Sequence, residues 1–81
     1  MLYIVLARVS EGLYVPVARA DTKEAAGHYA AYYLDQNPDV GQVAVQWFEE
    51  FDAGDCTELS LSGSAGFASP ADAEEFRRSG E

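Results

Sequence analysis

His28 is the only imidazole in the chain and Cys56 the only thiol. A nucleophile and base pair needs direct hydrogen-bond contact and a third group that orients the base, and the pattern around these two residues supplies neither. Serines cluster only between Ser60 and Ser69, without a G-x-S-x-G elbow. The glycines match neither G-x-G-x-x-G nor G-x-x-x-x-G-K-[ST], the patterns that cradle phosphates. The densest set of chemically able side chains is acidic: Glu49, Glu50, Asp52, Asp55 and Glu58. Hard cations such as Ca²⁺ take several carboxylate and carbonyl oxygens, but the D-x-x-D-x-x-E spacing of Asp52, Asp55 and Glu58 does not fit an EF-hand loop. The set suits contact with arginine or lysine side chains through charge-assisted hydrogen bonds. Asp35 and Asp39 extend it upstream. The sequence therefore reads as a non-enzymatic binding protein, with no catalytic residue, no cofactor and no metal ligand.

Charge distribution supports that reading. The 81 residues carry 14 acids and 5 bases, a net charge of −9. Met1–Lys23 is +1 and Arg77–Glu81 is +1, whereas Glu24–Phe76 holds eleven acids and no lysine or arginine. Interspersed charges of both signs normally relieve self-repulsion on a solvated surface, and this window forgoes that relief. Direct nucleic-acid binding is excluded, because it needs a basic stripe. The remaining readings are solubility, salt adaptation, or an acidic surface that occupies a basic nucleic-acid-binding groove on another protein. A hydrophobic content of 48% suffices for one small domain. A single cysteine points to a reducing compartment. No apolar run reaches membrane-spanning length, and the apolar Met1–Ala7 lacks a preceding basic region, so neither a membrane nor a signal peptide is expected.

The elements that position the acids follow from periodicity. Leu2–Val9 and Leu13–Ala18 read as a hairpin around Ser10-Glu11-Gly12, with Pro16 placing the second strand at a sheet edge. Asp21-Thr22-Lys23-Glu24 opens a helix with an acidic or hydroxyl N-cap, Glu24 standing three residues after Asp21, and the helix runs to about Gln36, before Asn37-Pro38. Ala26, Tyr29, Ala30 and Tyr33 form its core stripe, and Glu24, Ala31 and Asp35 lie opposite. Gln42–Phe51 and Cys56–Ser62 read as two more strands around the loop Asp52–Asp55, which projects the acids. Ser62–Ser69 reads as a Gly/Ser/Ala linker, and Ser69-Pro70-Ala71-Asp72 opens a short helix over Pro70–Arg78. The fold expected is α+β: a β-β-α-β-β domain over residues 1–62 with a four-stranded antiparallel sheet and one helix on one face, then a linker and short helical segment over residues 63–81.

One helix covers one sheet face. Leu2, Ile4, Leu6, Leu13, Val15, Val17, Val43, Val45, Trp47, Leu59 and Leu61 are expected beneath it. The opposite parity, Tyr3, Val5, Ala7, Val9, Tyr14, Ala18, Ala44 and Phe48, is also apolar. Such a face marks an interface, and a homodimer through Tyr3, Val5, Tyr14 and Phe48 is the expectation, against a C-terminal segment folded over it through Phe67 and Phe76. Phe48, Phe51 and Tyr32 are the candidate aromatic anchors near the acids.

In size, acidity and β-β-α-β-β order over residues 1–62, the chain resembles small phage-encoded anti-CRISPR proteins that inhibit type I systems. The resemblance implies a cytoplasmic protein of an infected bacterial host that binds a subunit of the crRNA-guided surveillance complex and blocks target DNA. It rests on architecture and charge and carries no residue over by position. A second resemblance, to HicB-like antitoxins, lies in Met1-Leu2-Tyr3-Ile4-Val5, Glu11-Gly12-Leu13-Tyr14-Val15-Pro16-Val17 and Asp21-Thr22-Lys23-Glu24-Ala25-Ala26. It implies neutralisation of a small RNase toxin, although no third strand fits between Ala18 and Asp21. An acidic structural or oligomerisation domain is the remaining alternative.

Overall fold

Two aliphatic runs that reverse at Glu11-Gly12 form the first hairpin, β1 (Leu2–Ser10) and β2 (Leu13–Ala20). The structure, a computed structural model, describes residues 1–78. After the hairpin come α1 (Lys23–Gln36), β3 (Val43–Ala53), β4 (Cys56–Phe67) and α2 (Pro70–Arg78). The four strands form one antiparallel sheet in the order β2-β1-β3-β4. Pro16, which has no N–H to donate to a ladder, sits in edge strand β2, as expected. The part of the expected C-terminal segment at residues 79–81 lies outside the described residues.

Of the acidic and hydroxyl caps open to helix α1, the hydroxyl is used. Thr22 is the N-cap: its Oγ1 accepts the Ala25 N–H at 3.1 Å while its backbone is extended. Asn37 closes the helix ahead of Pro38, donating its backbone N–H (2.9 Å) and its side-chain Nδ2 (3.0 Å) to the Tyr33 carbonyl. At α2, Ser69 Oγ accepts the Asp72 N–H and Asp72 Oδ2 accepts the Ala68 N–H, both at 3.3 Å. This is a reciprocal cap of the kind the S-P-A-D sequence suggests.

Both helices lie on the same face of the sheet. Helix α1 crosses β1, β2 and β3, and α2 packs against α1 and β4. A second helix changes which residues of α1 are buried. Ala31, expected on the outer side, is buried beside Pro70 and Glu74, whereas Tyr29 of the expected core stripe is exposed. Gly27 sits at the crossing: a Cβ there would stand 2.8 Å from Arg77 Cβ and 3.2 Å from the Ala73 carbonyl oxygen. Its helix-weakening backbone freedom is thus matched by a close approach that only glycine permits. Helix α2 docks through Phe76, whose ring centroid is 5.1 Å from that of Phe67 and 5.7 Å from that of Trp47. Tyr3 extends the row, 6.0 Å from Trp47, and Lys23 Nζ stands 4.8 Å over the Phe76 ring.

The Gly/Ser/Ala stretch is strand rather than linker as far as Phe67, paired with β3 throughout. Its small residues serve packing: the Trp47 indole covers Gly63, where a Cβ would come within 2.5 Å of the ring. Residues 63–78 therefore belong to the same folded unit as residues 1–62.

The register also corrects the assignment of sheet faces. Directly opposed residues share a face, and Tyr3 opposes Trp47, Val5 opposes Val45 and Ala7 opposes Val43. Val5, Ala7, Val43 and Val45 are fully buried under the helices, with Ala26, Ala30 and Ala73 above them. Leu2, Ile4 and Leu6, expected in that core, point to the helix-free face. The reason is steric: alanine-rich α1 lies close to the sheet, so the small side chains Ala7, Ala18 and Ala20 fit beneath it. In β2 a register shift places Pro16 opposite Leu6 and Ala18 opposite Val5, so Val17 is an extra residue and strict alternation fails. Leu13, Val15 and Val17 are consequently exposed.

Candidate functional site

Strand β1 ends its pairing with β3 at Leu2 opposite Phe48, whereas β3 and β4 continue together to Ala53 and Cys56. The excess length forms a free two-stranded arm, and every residue from Glu49 to Ser62 is exposed. The molecule is accordingly 43 Å along its longest axis and 16 Å along its shortest. A two-residue Gly54-Asp55 turn closes the arm, with Gly54 at φ +70, a tighter closure than the expected four-residue loop.

All five expected carboxylates lie on this arm. Register divides them between its faces. Glu50 opposes Leu59 and Asp52 opposes Thr57, on the face continuous with Phe48 and Leu61. Glu49 opposes Ser60 and Phe51 opposes Glu58, on the other face, and Asp55 stands in the turn. Ser62, the extra residue of a bulge opposite Trp47 and Phe48, donates its hydroxyl to Glu49 Oε1 at 3.3 Å. Among the described residues none of the five is ion-paired. Two of the three acids of α2 are engaged at home instead: Asp72 caps the helix, and Glu74 pairs with Arg77 at 2.8 Å.

Asp35 and Asp39 do not join the arm. Both are exposed, but α1 and the loop after it deliver the chain to the start of β3, at the end of the strand remote from Glu49–Ala53. Of the aromatic anchors, Phe51 shares the arm with the acids, Phe48 lies at its root on the helix-free face, and Tyr32 is exposed on α1. The expected dimer residues divide in the same way. Tyr14 and Phe48 are on the helix-free face, whereas Val5 is fully buried and Tyr3 packs against the Trp47 ring beneath the helices, so neither Tyr3 nor Val5 belongs to an open interface.

His28 and Cys56 remain apart. His28 is exposed on α1 with its ring beside Tyr29, and the Cys56 thiol near the arm tip donates to the Ala53 carbonyl at 3.6 Å. Among the described residues no group of three or more His, Cys, Asp or Glu side chains converges as cation ligands would, since alternation along the arm keeps the carboxylates apart. None of the described helices is long and apolar enough to cross a membrane. Residue chemistry that sequence alone missed is the extension of the acidic hairpin beyond β1; the length mismatch between the nine residues of β1 and the twelve of β4 was hidden in the small-residue stretch after Ser62. No protein-family model matches this chain, and comparison with curated proteins and with solved structures yields no similar protein.

Proposed function

We propose that this chain is a non-enzymatic binding protein whose acidic arm enters the basic, nucleic-acid-binding groove of a protein partner. The observation that carries the proposal is the placement of five carboxylates, none ion-paired among the described residues, on a free two-stranded arm. A groove has two walls. Glu50 and Asp52 face one, about 6.8 Å apart along the strand, while Glu49 and Glu58 face the other and Asp55 leads. Carboxylates so arranged stand in for phosphates, and the net charge of −9 steers association with a cationic surface. Phe51 supplies an aromatic anchor among them.

The size, acidity and element order resemble type I anti-CRISPR proteins, and the specific form of the proposal is inhibition of target DNA binding by a type I surveillance complex. The test is an equilibrium DNA-binding assay with the purified complex, comparing the wild-type chain with a Glu49→Lys/Asp55→Lys/Glu58→Lys variant. These three residues lie off the helix-free face. Wild type should displace DNA and the variant should not. Equal inhibition by both contradicts the role of the arm. A second reading rests on the resemblance of residues 1–26 to HicB-like antitoxins, from which the direct passage of β2 into α1 departs by leaving out a third strand; there the chain would suppress RNA cleavage by a small RNase toxin and leave DNA binding untouched.

A further inference from the structure

We infer that the helix-free face of the sheet is the interface of a two-fold homodimer, in which Glu50 and Asp52 of each copy meet Arg8 of the other. The inference shares Glu50 and Asp52 with the partner-binding reading and leaves Glu49, Asp55 and Glu58 to it. Both helices occupy one face, so nothing in residues 1–78 covers the other. Leu2, Ile4, Leu6, Phe48, Leu59 and Leu61 make that face a continuous apolar band, with Leu59 and Leu61 51% and 59% exposed. Beside it, Ala44, Ser64 and Gly66 form the floor of a hollow of about 400 Å³ walled by Leu6, Tyr14 and Gln46, large enough to receive side chains from an opposing surface.

Charge on this face identifies the occupant as a second copy. Arg8 opposes Tyr14 at the end of β1 remote from the arm, whereas Arg19 opposes Ile4 and stands level with Gln46, nearer the arm. Glu50 and Asp52 lie on the β3–β4 arm, diagonally opposite Arg8. A face with Arg8 at one corner, an apolar middle and Glu50 and Asp52 at the other is complementary to itself. Rotation by 180° about an axis lying in the interface, across that diagonal, sets each acidic corner over the basic corner of the other copy and apolar band over apolar band. The 43 × 31 Å outline of the molecule accommodates the roughly 800 Å² per partner that a stable interface buries.

The test is mass in solution by sedimentation equilibrium at ~100 μM chain, a concentration that populates a dimer of micromolar affinity. Wild type should give twice the 8.8 kDa chain mass. Ile4→Glu, at the centre of the face, should weaken association by at least ~30-fold, while the emission of Trp47, on the opposite face, is retained. A charge-exchange pair needs no core change: Arg8→Glu and Glu50→Arg/Asp52→Arg should each dimerise poorly alone and form a mixed dimer when combined. A monomeric wild type overturns the inference. So does a dimer unaffected by the Ile4 and charge-exchange variants, which would move self-association to the exposed edge of β4. Neither result removes Glu49, Asp55 and Glu58 as contacts to a basic partner, which are read separately with the Glu49→Lys/Asp55→Lys/Glu58→Lys variant.

Discussion

Gly63 lies beneath the indole of Trp47, so close that a Cβ at position 63 would stand 2.5 Å from Cζ2 of the ring. The contact ties β4 to β3 at the point where the sheet ends and the free arm begins, because Ser62, next in β4, is the bulged residue. It also holds Trp47 against Tyr3 and Phe76. Aromatic cover of a strand glycine is a known means of fixing register. Gly63→Ala should therefore displace the ring and cost about 1–3 kcal/mol. Urea unfolding measures the loss, and the emission of the single tryptophan reports the displacement; unchanged emission and stability would contradict the packing.

Gly27 offers a test of sign. On a helix with no neighbour, Gly→Ala stabilises by about 1 kcal/mol. Here the new methyl meets Arg77 Cβ and the Ala73 carbonyl, so Gly27→Ala should lower stability by about 1–2 kcal/mol through overpacking. A gain in the urea midpoint would mean that α2 does not rest on α1.

Phe76 is the residue through which nine-residue α2, too short to persist alone, is held. Phe76→Ala removes the ring between Trp47 and Phe67. Because the side chain is half-buried, the cost should be about 2–3 kcal/mol, below that of a fully enclosed phenylalanine. Amide exchange should accelerate in α2 before it does in β1 or β3. Uniform acceleration throughout would contradict the docking.

Much of this organisation is legible in the residues. Aliphatic runs, the N-P stop after Gln36 and the S-P-A-D start of α2 place every element in order, and the acids mark the arm. Face assignment is less legible. Leu2, Ile4 and Leu6 are uniformly large aliphatic residues, whereas Tyr3, Val5 and Ala7 mix a phenol ring with two smaller side chains, so aliphatic size alone favours the wrong parity. Only the pairing of Val5 with Val45 settles it. The extra residues Val17 and Ser62 shift alternation where no composition signal marks a bulge. Small residues after Ser62 look flexible by composition, yet they are small because an indole lies on them. Asp35 and Asp39 are near the arm acids in sequence and remote in the fold, since β3 carries the chain away from them.

The arm contributes little to the stability of the domain. Its side chains are exposed, its carboxylates form no ion pair among the described residues, and the one hydrogen bond to them, from Ser62 to Glu49, is exposed, so Glu49→Lys/Asp55→Lys/Glu58→Lys should leave the free energy of unfolding within about 0.5 kcal/mol per substitution. Thermal or urea unfolding checks this. A collapse of stability would show the acids to be structural and would undercut their assignment to a partner.

Salt dependence of binding tests the central claim most directly. A type I surveillance complex, held on immobilised wild-type chain, should release as salt rises from low to several times physiological concentration, and target DNA should compete for the same site. Retention that is indifferent to salt, or DNA and this chain bound to the complex together, would contradict the entry of the acidic arm into a nucleic-acid groove.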